Sequence, residues 1–179
     1  MSKLLFVSAL CLTLSGGMAA QAPAPAPAEL KVGDRAPEFS LQGTDGKVHK
    51  LSDYQGRSVV LAWFPKAATR GCTIECKSLT ASAAAIGQYN VAYFMASVDT
   101  PEDNAMFAKN NEANFPLLSD PQKTTARAYG VLNQGGLANR WTFYIGADGR
   151  IVHIDRAVNP ETSGQDLVTQ LTALKVARK

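Results

Sequence analysis

Residues 58–64, Ser-Val-Val-Leu-Ala-Trp-Phe, are apolar after the first position, with none of the alternation of a strand that has one wet face. Such a run belongs at the centre of a sheet covered on both sides, which demands helices above and below it. Residues 91–98 read as a second strand of the same buried kind. Around these two, the order of segments fits one α/β domain: a central mixed sheet covered by helices on both faces. Segments 38–42 and 47–51 flank the turn Thr44-Asp45-Gly46 as two short strands, and 52–55 makes one helical turn. Cys72, Cys76, Leu79, Ala83 and Ile86 recur at intervals of three and four, predicting one helix that Gly87 ends. Thr100-Pro101-Glu102-Asp103 has the cap, proline and acids of a helix start, and that helix runs to about Asn111. A strand at 115–119 follows, then a helix begun by Asp120-Pro121 and closed by Gly130, and a Gly-rich loop at 131–139. Segments 141–145 and 150–155 flank Ala147-Asp148-Gly149 as a hairpin, and Ser163 caps a last helix to about Lys175.

Before the domain stand two segments of another character. Residues 1–20 read as a cleavable secretory signal: Lys3, an apolar stretch from Leu4 to Leu14, and small residues at the end. The apolar stretch is too short to span a bilayer as a helix, so no membrane insertion is expected after its removal. Cleavage falls after Ala19 or Ala20, and the expected location is the periplasm. Residues 21–29 are an Ala/Pro tether of extended type, and the folded domain occupies 30–179. Of three cysteines, Cys11 leaves with the signal, so the exported chain keeps Cys72 and Cys76. A close pair alone in an oxidising compartment suggests an intramolecular redox couple. Net charge is +3 without a Lys/Arg run, so nothing points to nucleic acid.

The chemistry is expected where the first buried strand meets the helix, at Pro65-Lys-Ala-Ala-Thr69-Arg-Gly-Cys72. Cys72 falls in the first helical turn, where free amides and the helix dipole favour a thiolate over a thiol. Thr69 is placed to cap the helix and to turn its hydroxyl toward that sulfur. Pro65 stiffens the turn. A purely structural cysteine suits a helix interior better than this position. Glu75 reads as an acid at the helix start with no assigned chemistry, and Arg70 as a neighbouring cation or a solvent-facing one. Trp63 and Trp141 are expected in the core, and His49 and His153 at the surface.

The pattern Pro65-x-x-x-Thr69-x-x-Cys72 resembles the peroxidatic motif of the peroxiredoxins, the AhpC/TSA superfamily. Phe64-Pro65-Lys66 through Gly71-Cys72-Thr73 and Glu75 is similar to the bacterioferritin-comigratory, PrxQ-like branch. Val32-Gly33-Asp34-x-Ala36-Pro37-x-Phe39, Leu117-Leu118-Ser119-Asp120-Pro121 and Arg140-x-Thr142-Phe143 carry the likeness on toward the C-terminus. The resemblance implies a thioredoxin-like fold and a peroxidase without metal or organic cofactor. Its substrates would be hydrogen peroxide and organic hydroperoxides. Cys72 would be the peroxidatic nucleophile, oxidised to a sulfenic acid, and Arg140 the active-site arginine. The reductant would be a thioredoxin-like protein or a small thiol, and the branch includes monomers and dimers.

Cys76 departs from the branch, whose resolving cysteine usually stands one residue further on, where this chain has Lys77. Two readings stand. Cys76 resolves the sulfenic acid as a disulfide after the first turn unwinds, since helical side-chain directions suit such closure poorly. Otherwise it is a small apolar residue on the core face, and an external thiol resolves Cys72. Two rival functions share the compartment. A thiol–disulfide oxidoreductase normally spaces its cysteines one residue closer. A Sco-type copper metallochaperone has the same Cys-x-x-x-Cys but needs a histidine in the loop before a late strand; here that loop ends in Arg140.

Overall fold

The computed structural model describes residues 29–179; the expected signal and residues 21–28 of the Ala/Pro tether lie outside them. Seven strands form one sheet: β1 (Ser40–Gly43), β2 (Val48–Lys50), β3 (Ser58–Trp63), β4 (Val91–Ser97), β5 (Leu117–Ser119), β6 (Thr142–Ile145) and β7 (Ile151–Asp155). Their spatial order is β2-β1-β5-β4-β3-β6-β7. β3 lies parallel to β4 and antiparallel to β6, so the sheet is mixed and its most apolar strand sits inside it.

Alternation along β3 feeds two cores. Val59, Leu61 and Trp63 face one way, with Ala92, Phe94 and Ala96 of β4 and Phe143 and Ile145 of β6. Helix α4 (Thr124–Ala128) and the residues before and within β1 close that side, through Ala126, Phe39 and Leu41. Val60, Ala62 and Phe64 face the other way, under α1 (Arg70–Ala81), α2 (Ala83–Ile86), α3 (Pro101–Asn110) and α5 (Ser163–Ala173). Burial on both faces is why β3 needs no polar alternation.

Four local features differ from the sequence reading. The helix expected to run unbroken to Gly87 is interrupted at Ser82, whose N–H is shared between the carbonyls of Ser78 and Leu79 at 3.2 Å each. The break coincides with the crossing of α5: a Cβ on Gly164 would lie 2.2 Å from the Ser78 carbonyl oxygen. The helix expected from Asp120-Pro121 starts only at Thr124. Asp120 caps it from a distance, its carboxylate accepting from Thr124 N (3.2 Å) and Ala126 N (2.7 Å). The cap position of α5 is Thr162 rather than Ser163, with the Thr162 hydroxyl donating to Asp166 at 2.6 Å. His49 is buried rather than superficial, because β2 folds back over the helical turn at Leu51–Tyr54. Its ring bridges Asp45 Oδ1 (3.0 Å) and the Tyr54 hydroxyl (2.6 Å).

The N-terminal signature of α3 stands as read, with Thr100 Oγ1 accepting from Asp103 N at 3.1 Å. Trp63 is fully buried, whereas Trp141 is only partly so, with the Arg156 guanidinium 4.9 Å over its ring. Among the described residues no helix is long and apolar enough to cross a membrane.

Candidate active site

β3 ends at Trp63, and the chain turns over residues 64–69 before α1 begins at Arg70. Pro65, half-buried, opens this turn and offers no N–H. Thr69 takes the extended conformation of an N-cap (φ −89°, ψ 153°), and its carbonyl accepts from Thr73 N at 2.9 Å. Its hydroxyl does not cap the helix. It donates to the Lys66 carbonyl at 3.0 Å, across the turn, so Thr69 closes the loop on itself where the sequence predicts a bond to α1. Arg70 is exposed.

Cys72 is the third residue of α1 and is fully buried, against Ala62, Phe64 and the rest of the helical core. Arg140 reaches it from the far end of the domain. The β3–β6 ladder extends past its last strand pair through Trp63 N to the Trp141 carbonyl, at 2.8 Å. That register sets Arg140, just before β6, beside the first turn of α1. Its Nη2 donates to Cys72 Sγ at 3.3 Å. Gly71 permits the approach, since a Cβ there would stand 3.2 Å from the same nitrogen.

The other arm of Arg140, Nη1, donates to Glu75 Oε2 in an ion pair. Here the sequence reading is corrected. Glu75 lies beyond the first turn of α1 rather than at the helix start, and it is fully buried. Burial pushes its carboxyl up to about 7, against the pull of Arg140, and Asp155 adds to the rise. Its second oxygen, Oε1, has no hydrogen-bond partner among the described residues, and the residue lines a cavity of about 10 Å³ with Thr142, Tyr144, Asp155 and Asp166. For Arg140, burial works against the charge, but Glu75 and Cys72 outweigh it and hold the guanidinium ionised. The signal that could have exposed Glu75 is its spacing: three residues after Cys72, it shares that face of the helix.

Cys76 lies one turn further along α1, also fully buried, and both thiols are free. Burial pushes the Cys76 thiol up to about 11, partly offset by a hydrogen bond from Thr80. Among the described residues, no three His, Cys, Asp or Glu side chains are grouped as a metal ion would require. The arrangement is a sulfur at a helix start, a fixed cation on it and a buried carboxylate behind the cation. It can hold a thiolate and polarise a bound oxygen.

Known proteins resemble this chain in sequence and in fold. The model of the AhpC/TSA family matches residues 32–154. Peroxiredoxin Bcp of Escherichia coli (strain K12) is 36% identical over 132 residues, covering 70% of this chain and 85% of that one. The crystal structure of the peroxidoxin BcpB from Mycobacterium tuberculosis superposes with a TM-score of 0.74 at 28% identity, covering 82% of this chain and 99% of that one. A cysteine-to-serine mutant of PrxQ from Xylella fastidiosa superposes with a TM-score of 0.76 at 24% identity, over 82% and 98% of the two chains. With sheet, motif and relatives in agreement, the chain belongs to the AhpC/TSA family, within its bacterioferritin-comigratory (PrxQ-like) peroxiredoxin branch.

Proposed function

We propose that this chain is a thiol-dependent peroxidase that reduces hydrogen peroxide and organic hydroperoxides at Cys72. The observation that carries the reading is the Arg140 guanidinium, 3.3 Å from Cys72 Sγ at the start of α1. The thiolate attacks one peroxide oxygen in line, and a sulfur–oxygen bond forms as the oxygen–oxygen bond breaks. The electron pair of the broken bond goes to the second oxygen, which takes a proton and leaves as water or an alcohol. Sulfur loses two electrons, the peroxide gains two, and Cys72 becomes a sulfenic acid. Arg140 and the free amides of the helix start stabilise the charge that passes between the oxygens. A fixed cation against the sulfur suits this chemistry and would repel a copper ion.

In this reading Cys76 resolves the sulfenic acid. Its sulfur attacks Cys72 Sγ, the oxygen leaves as water, and a disulfide forms. While α1 is intact, burial keeps the Cys76 thiol protonated and therefore a poor nucleophile. Unwinding the first turn both exposes it and removes the helical geometry that opposes closure. A thioredoxin-like protein or small thiol of the same compartment then reduces the disulfide. The exported chain would act in the periplasm, as a monomer or weak dimer.

The test is one equivalent of hydrogen peroxide added to reduced protein, with peroxide loss followed and products read by intact mass and peptide mapping. The parent is expected to consume peroxide rapidly and to end with a Cys72–Cys76 link. Cys72→Ser should be inert, and Arg140→Met slower by about 10²–10³-fold, the loss typical of one preorganised charge-stabilising donor. A parent no faster than a free thiol would overturn the peroxidase reading. A stable sulfenic acid at Cys72 would retain it and assign resolution to an external thiol.

A further inference from the structure

Residues 65–69 carry the active-site turn, yet among the described residues, apart from the junction with α1 where the Thr69 carbonyl accepts from Thr73 N, one hydrogen bond ties them to the rest of the fold. Ala67 N–H donates to Asp99 Oδ2 at 2.8 Å. The sheet's own pairing stops just before, at Phe64 N to the Ala96 carbonyl (2.9 Å), and the Thr69 hydroxyl bonds only within the loop. Asp99 itself is anchored firmly. Its N–H donates to Ser97 Oγ at 3.2 Å, and the fully buried Ser97 accepts from Asn104 Nδ2 at 3.1 Å. The same amide nitrogen donates to Ser119 Oγ at 2.8 Å, so α3, β4 and β5 meet in one buried polar cluster behind Asp99.

Ala68, next to the tethered amide, has φ of 60°. An alanine in the left-handed region is strained by its own Cβ and stays there only while its surroundings hold it. Nor is the outer side of the loop packed: a groove of about 590 Å³, lined by Lys66, Ala67, Ala68 and Asp99 among others, runs along it toward α3. The loop is thus strained and open on one side; between its ends, where Ala67 packs into the core, one hydrogen bond holds its backbone.

We propose that Asp99 is a positioning residue whose carboxylate latches this loop against the strain at Ala68. The latch sets how often the first turn of α1 opens and Cys72 leaves its buried place. Releasing the Ala67 amide lets Ala68 relax to a right-handed conformation and unwinds the turn that carries the sulfur. The catalytic meaning of this opening, access of Cys72 to Cys76 or to an outside thiol, rests on the peroxidase reading; the opening itself does not.

The test is alkylation of the reduced full chain by iodoacetamide, with labelling at Cys72 read by peptide mass. Cys72 is fully buried, so its labelling reports local opening. Asp99→Ala should speed labelling about fivefold, the equilibrium worth of one hydrogen bond. Asp99→Asn keeps an acceptor oxygen without the charge and should stay within about twofold of the parent. Ala68→Gly, at ease in the left-handed region, should slow labelling about fivefold. Unchanged labelling in an Asp99→Ala protein that unfolds like the parent overturns the proposal. So does an Asn variant that behaves like the Ala variant, since charge rather than the bond would then govern access. Should Asp99→Ala not fold, hydrogen exchange at the Ala67 amide decides: protection must rise in Ala68→Gly, and equal protection overturns the latch. Peroxide consumption by the parent, measured separately, tests the peroxidase reading; an inert parent sinks that reading and leaves the labelling to decide the latch.

Discussion

A carboxyl sealed from water beside a guanidinium is subject to two opposed forces. Burial at Glu75 favours the neutral acid, the ion pair with Arg140 favours the carboxylate, and the balance lies at about 7. The folded value stands above the ordinary one, so Glu75 contributes stability that is present below about pH 4.5 and is lost as pH rises through about 7. The melting temperature of the parent should therefore fall relative to that of Glu75→Gln across this window, in paired thermal scans. A difference between the two proteins that stays constant from pH 4.5 to 7 would contradict it. The meeting of Cys72 with Arg140 was legible because each occupies a position defined along the chain, by a motif or by the start of a strand. The place of Glu75 was not, because its spacing puts it on the face of Cys72 but the partner that holds it there, Arg140, lies 65 residues away. The Thr69 hydroxyl was misread for a related reason: its place at the helix start suits a cap that accepts from α1, whereas in the folded turn it donates to the Lys66 carbonyl.

At the scale of elements, the functional helix depends on a neighbour it never meets in sequence. α5 crosses α1 where Gly164 N donates to Ser78 Oγ at 3.1 Å, while Ser78 Oγ donates to the Glu161 carbonyl at 3.1 Å. No side chain fits at Gly164, because its Cβ would penetrate the Ser78 carbonyl. Gly164→Ala should cost about 1–3 kcal/mol in urea unfolding, the usual range for overpacking a tight contact. A loss below a few tenths of a kcal/mol would mean that α5 shifts freely and does not brace α1. The periodicity from Cys72 to Ile86 fixed the face of this helix correctly and its continuity wrongly. Hydrophobic spacing registers which side is buried, whereas the break at Ser82 accompanies a backbone contact that leaves no trace in local composition.

At the scale of the molecule, sheet class and family were legible because β3 and β4 are apolar on both faces and the motif fragments keep their order along the chain. Strand order was not, since β5 pairs with both β4 and the distant β1, and no turn signal announces that contact. Export is expected from residues 1–20 alone. Protein recovered from a secreting host should begin at Ala20 or Gln21 by N-terminal sequencing, and an intact Met1 on periplasmic-side material would refute cleavage. Such a route would also order events in time. Cys72 and Arg140 are 68 residues apart and meet only when β6 docks against β3. A chain threaded unfolded across a membrane would therefore travel with Cys72 and Cys76 as separate thiols, and the hazard of a reactive sulfur would begin only when β6 arrives. On that route maturation and activation would be one event, with assembly of the sheet as its trigger.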